Sequence, residues 1–104
     1  MIDSYKGHFA YTSQSISENA PQSKGVYFMG SLNPDGSLGV TYVGKSSDGA
    51  DMRGRLQSHF NNNEWLDVTL FGYQVCTTIQ EADQLEADEI VRLQPRHNQV
   101  GKWQ

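Results

Sequence analysis

Arg53, Arg55 and His59 stand within seven positions of one another in TYVGKSSDGADMRGRLQSHF, residues 41–60. The whole chain holds eight Lys and Arg against twelve Asp and Glu, so this concentration of cations points to an anionic ligand. On a helix, Arg55 and His59 are i, i+4 neighbours at the edge of an apolar stripe of Met52, Leu56 and Phe60. An arginine in that position can clamp a phosphate through two N–H groups, and a histidine one turn on can add a further hydrogen bond. A solvated helix edge has the same spacing, so the phosphate reading needs other residues to converge on it.

Two carboxylates are candidates. In EADQLEADEIVRL, at about 100° per residue, Ala82, Leu85, Ile90 and Leu93 make one stripe, and Glu86 and Glu89 fall inside it. A carboxylate facing a core costs several kcal/mol unless it is neutralised, paired or bound to a cation. A metal or catalytic role is one explanation. Pairing with an arginine of the first helix, or escape past a short helix end, is the other.

Tyr27 and Tyr42 lie in strand-like runs, and Tyr42 leads into Val43, Gly44 and Lys45. Strand tyrosines usually pack with one satisfied hydroxyl, but Gly25 and Gly44 let a backbone pass close to another group.

These residues need elements to position them. GVYFMGSL (25–32) and LGVTYVGK (38–45) flank NPDGS, which is strong turn chemistry, and this predicts an antiparallel hairpin. A helix is expected over about 51–60 with Asp48 or Asp51 as cap, although Gly54 weakens it. NNNEW reads as a loop and DVTLFGYQVCTT (67–78) as a third strand. Thr78 and Glu81 form a T-x-x-E capping box for a second helix, which must end near Leu93 because Gln94 precedes Pro95. Residues 1–20 are polar and aperiodic, a leader with a short helical turn before Pro21, and residues 21–104 form one domain. The class expected is α+β, a small sheet with helices packed on it.

At 104 residues and 37% hydrophobic the chain fits a single modest core. The N-terminus shows no signal-like apolar region and no window approaches a membrane span, so a cytoplasmic protein with no membrane partner is expected. Cys76 is alone in an apolar run and reads as core. The net charge of −4 argues against general electrostatic binding of nucleic acid and requires a local patch for any polyanion. Lys45, Arg53, Arg55, Arg92, Arg96, His97 and Lys102 are the residues available for one.

GVY at 25–27 and YVG at 42–44, joined by a turn-bearing hairpin, resemble the paired signatures of the GIY-YIG nuclease superfamily. Arg55 after YVG, Glu86 in the last helix and Asn98 in PRHN keep that family's order. LEADEIVRLQPRHNQ and YVGKSSDGADMRGRLQSHF look most like the nuclease domain of the bacterial excision-repair incision subunit, with about three extra loop residues here. The likeness covers roughly residues 21–100, and five elements in order make it specific.

The resemblance implies a GIY-YIG fold, a small three-stranded antiparallel sheet flanked by helices. It also implies hydrolysis of phosphodiesters in nucleic acid, DNA in preference to RNA, in repair, mobile-element or restriction settings. By the resemblance, Glu86 would bind one Mg²⁺ or Mn²⁺, and Arg55 would clamp the scissile phosphate. Tyr27 would activate the attacking water, with Lys45 or the metal favouring its phenolate. Tyr42 would position substrate or water, His59 would match a histidine that many members carry, and Asn98 would hold the site or the DNA backbone. Gly44, Arg53, Arg96 and His97 would contact nucleic acid. Glu89 stands where repair-type members usually carry an apolar residue, and spacing favours Glu86 over it. The chain ends at GKWQ soon after the matched segment, so target choice is expected from a DNA-binding or targeting partner, or from a homodimer. The rival expectation is a non-catalytic or partner-dependent nucleic-acid-binding module with the same fold.

Overall fold

Gly25–Leu32 (β2) is the strand on which the molecule is built, and its first six residues are all buried. The computed structural model describes residues 2–46 and 51–99; Asp48 and Lys102 lie outside them. β2 pairs antiparallel with Leu38–Ser46 (β3) on one side and with Leu70–Val75 (β4) on the other. Its side chains alternate between two apolar layers, as a strand covered on both faces must. Tyr27 and Met29 join Met52, Leu56 and Phe71 in one layer. Val26 and Phe28 join Val43, Cys76 and Ala82 in the other.

The sheet has four strands, in the order β1-β4-β2-β3, rather than three. The additional strand, Lys6–Ala10 (β1), pairs antiparallel with β4 along the edge away from β3. It is followed by a helix, Ser13–Asn19 (α1), capped by Thr12. The segment expected as a polar leader with a short helical turn before Pro21 therefore carries an edge strand and, where that turn was expected, a seven-residue helix. Neither leaves a strong pattern in the sequence. β1 is attached through its backbone and Phe9, which packs on Phe71 and Tyr73, and α1 has a single fully buried large side chain, Ile16.

The hairpin turn forms from NPDGS as its residues require. Asp35 Oδ1 accepts from Ser37 N at 2.9 Å, and Gly36 takes φ +91°. The first long helix runs Met52–Asn62 (α2), with Asp51 Oδ1 accepting from Gly54 N at 2.7 Å. Gly54 thus sits in the first turn, where its amide completes the cap, and the helix continues two residues beyond Phe60. The capping box of Thr78 and Glu81 opens Ile79–Leu93 (α3), which stops at a left-handed Gln94 before Pro95. A short helix, Arg96–Gln99 (α4), follows. α1 and α2 cover the Tyr27 layer and α3 covers the Val26 layer. Among the described residues no helix is long and apolar enough to cross a membrane.

Candidate active site

Tyr27 on β2 and Gly44 on β3 face each other in the register of the hairpin. A Cβ on residue 44 would lie 2.4 Å from Tyr27 Cζ, well inside contact distance, so only glycine lets the ring lie over β3. This is the physical link between GVY and YVG. Tyr42, two residues earlier on β3, presents its ring to the same layer, 6.2 Å from that of Tyr27.

α2 brings His59 to the pair. Its Nε2 lies 2.9 Å from the Tyr27 hydroxyl, and its Nδ1 lies 3.0 Å from Glu64 Oε2. Trp65, next to Glu64, lies against the rings of both Tyr42 and His59, at 4.5 and 5.1 Å. His97 of α4 stacks on Trp65 at 5.0 Å and 19°. Its Nε2 reaches Asp67 at 2.9 Å, and Arg96 bonds the same carboxylate. The loop between α2 and β4 is thus tied to the site at Glu64, Trp65 and Asp67.

Asn98 holds β3 in place. Its Oδ1 accepts from Val43 N at 2.8 Å, and its Nδ2 donates to Val43 O at 2.9 Å. The amide therefore serves as one more strand residue on the open side of β3, between Tyr42 and Gly44.

Arg55, one turn before His59, is exposed, and its side chain makes no hydrogen bond or ion pair with the described residues. Its charge nevertheless reaches the cluster. Burial raises the Tyr27 phenol above its usual range, Tyr42 and Glu86 push it the same way, and Arg55 opposes them. Burial, followed by Glu86, also raises Tyr42, again against Arg55. Glu86 itself is half-buried, and desolvation raises its carboxyl while Lys45 and Arg55 lower it.

No family model, curated protein or solved structure matches the chain.

Lys45, expected as an alternative to the metal for favouring a Tyr27 phenolate, turns toward α3. Its Nζ lies 2.6 Å from Asp83 and 3.7 Å from Glu86. Strand alternation is the reason, since Tyr42 and Gly44 face the tyrosine layer while Val43 and Lys45 face α3. Glu89 pairs through both oxygens with Arg92 of its own helix, at 2.7 and 2.8 Å. It lines a separate cleft with Tyr5, His8, Phe28 and Leu93. Arg53 donates Nε to Ala20 O at 2.8 Å and ties α2 to the end of α1. Thus Arg53, Arg92, Arg96 and Lys45 are each engaged within the fold, and Arg55 is left open.

Sequence reasoning missed Glu64, Trp65, Asp67 and Asp83. One signal was available, a tryptophan inside the otherwise polar NNNEW.

Glu86 fits a hard divalent cation. It is a desolvated carboxylate whose ion-pair partner Lys45 stands at 3.7 Å and makes its short contact to Asp83. Mg²⁺ needs one or two protein carboxylates and retains several waters. Among the described residues no three His, Cys, Asp or Glu gather into a fuller cage.

Proposed function

We propose that the chain is a GIY-YIG nuclease domain, a metal-dependent endonuclease that hydrolyses phosphodiester bonds in nucleic acid, with DNA the first substrate to test. The observation that carries this reading is the meeting of Tyr27, Tyr42 and His59, drawn from β2, β3 and α2, within electrostatic reach of the unpaired Arg55 guanidinium and of Glu86 on α3. The motif order GVY, YVG, Arg55, Glu86 and Asn98 supports it independently.

Arg55 binds the scissile phosphate through its free guanidinium and stabilises the charge that builds on it in the transition state. Tyr27 works from the neutral phenol, because burial holds its proton on. It gives that proton to His59 Nε2 as it takes one from the attacking water. Tyr42 lines the same surface and orients water or substrate. Asn98 keeps β3 in register, so that Tyr42 and Gly44 stay in place on either side of Val43. Glu86 would hold Mg²⁺ or Mn²⁺, and a divalent ion bound there supplies Lewis-acid stabilisation of the phosphoryl oxygens.

The deciding experiment incubates the protein with linear, supercoiled, flapped and branched DNA and with RNA, in Mg²⁺, Mn²⁺ or EDTA, beside Glu86→Gln. Metal-dependent cleavage lost in Glu86→Gln is expected. Equal cleavage by that variant, or in EDTA, would exclude Glu86 as the metal ligand.

A second reading is favoured by one observation: Lys45, Arg92 and Arg96 are all paired with carboxylates. An acidic domain with so few open cations gains little affinity from phosphates by itself. On this reading it acts on nucleic acid only when docked on a partner, and cleavage would appear only in the complex.

A further inference from the structure

The chain has three histidines, and their hydrogen bonds differ in one respect. His8 has a carbonyl, Gly36 O, on Nε2 at 3.1 Å and the Tyr5 hydroxyl on Nδ1 at 3.0 Å. His97 has the Asp67 carboxylate on Nε2. Carbonyls and carboxylates only accept, so in both rings Nε2 carries the hydrogen. His59 is reversed. Glu64 accepts at Nδ1, which places the hydrogen there and leaves Nε2 as a lone pair facing the Tyr27 hydroxyl.

We infer that Glu64 is the positioning residue of this site: it fixes His59 as the Nδ1–H tautomer, so that Nε2 can receive the Tyr27 proton. The inference rests on the nuclease reading for its consequence, and on hydrogen-bond chemistry alone for the tautomer. The logic is that of a carboxylate–histidine pair behind a hydroxyl, with a tyrosine in place of the nucleophile.

The step balances. The Tyr27 O–H bond breaks and its proton joins the Nε2 lone pair. The Tyr27 oxygen takes a proton from water as the water oxygen bonds phosphorus. The P–O bond to the leaving oxygen breaks, that oxygen takes a proton from solvent, and His59 returns its own to solvent. One water and one phosphodiester become a phosphomonoester and an alcohol. While His59 is charged, the carboxylate of Glu64 lies 3.0 Å from its Nδ1–H and stabilises the imidazolium. Trp65 holds the ring plane from the side, at 5.1 Å.

The test combines ¹⁵N NMR of the histidine rings, at a pH where they are neutral, with cleavage kinetics on wild type, Glu64→Gln and Glu64→Ala. In wild type one histidine of the three should be the Nδ1–H tautomer. Glu64→Ala should move that ring to the Nε2–H form usual for free imidazole and leave the other two unchanged. On a cleaved substrate, kcat should fall about 100-fold or more while KM stays within about threefold, because Glu64 touches no phosphate. Glu64→Gln keeps an acceptor without the charge and should retain more of the tautomer than of the rate. An unchanged tautomer in Glu64→Ala would overturn the inference, and so would a changed tautomer with wild-type kcat. Absence of cleavage by the wild-type protein on every substrate would count against the nuclease reading, and the NMR would still decide what Glu64 does to His59.

Discussion

Gly44 and Tyr27 are opposed residues of one hairpin, and the ring of Tyr27 occupies the space where residue 44 would otherwise carry a side chain. The contact joins two halves of the candidate site that lie 17 residues apart in the sequence. Gly44→Ala places a methyl 2.4 Å from a ring that is 1% exposed and has no room to retreat. The expected cost is about 1–3 kcal/mol of stability, read by chemical denaturation. On the nuclease reading, cleavage also falls because Tyr27 Oη leaves His59 Nε2. A variant of unaltered stability would mean that the ring moves freely.

Arg55 makes the opposite prediction. Because its side chain has no hydrogen bond or ion pair among the described residues, Arg55→Ala should alter stability by less than about 0.5 kcal/mol. Its effect should appear in kcat, lowered about 100- to 1,000-fold as for loss of a transition-state donor. Arg55→Lys should recover only part of it, since an ammonium cannot make the bidentate contact. Full activity in Arg55→Ala would remove the phosphate clamp from the mechanism.

Asn98 can be tested without any substrate. Its amide satisfies both the N–H and the C=O of Val43, so Asn98→Ala leaves two backbone groups of the sheet edge without partners. A loss of about 1–3 kcal/mol is expected, together with faster hydrogen exchange at the Val43 amide than at Phe28, its partner within the sheet. Unchanged exchange at Val43 would show that the side chain does not hold the strand.

Asp67 gives the loop a pH dependence with a defined sign. His97 above all, helped by Arg96, holds its carboxyl below the usual range against the opposing effect of burial, which ranks between the two. A carboxyl lowered on folding adds stability that is present above its unfolded pKa of about 3.9 and is lost as pH falls through the lower folded value. Asp67→Asn should therefore cost about 0.5–1 kcal/mol at pH 7, the figure for a partly exposed ion pair. The gap from wild type should close as pH falls below about 3.9. A constant gap in denaturation midpoints from pH 7 to pH 2 would assign the effect to shape rather than charge.

Much of this architecture is legible residue by residue. NPDGS, Asp51, the Thr78–Glu81 pair and Pro95 each act within a few positions of themselves, and the turn, the two caps and the helix stop lie where they require. β1 is not legible and α1 only as a short helical turn before Pro21, because a five-residue edge strand and a seven-residue helix with one large buried side chain leave almost no periodic signal. In the candidate site, Arg55 and His59 declare themselves by helical spacing. Glu64 and Trp65 lie in a loop, where no period applies, and their importance appears only when the loop folds back on His59 and Tyr42.

For the hairpin, α2, β4 and α3 the sequence by itself determined the local element and the face on which each side chain falls, because periods of 2 and 3.6 are set by backbone geometry. Tertiary structure alone decided which distant groups meet: Tyr27 with His59, Lys45 with Asp83, Val43 with Asn98. Those pairs stand 32, 38 and 55 residues apart. Their partners are selected by how the sheet and helices pack, and with them the tautomer of His59, the neutral Tyr27 phenol and the open guanidinium of Arg55.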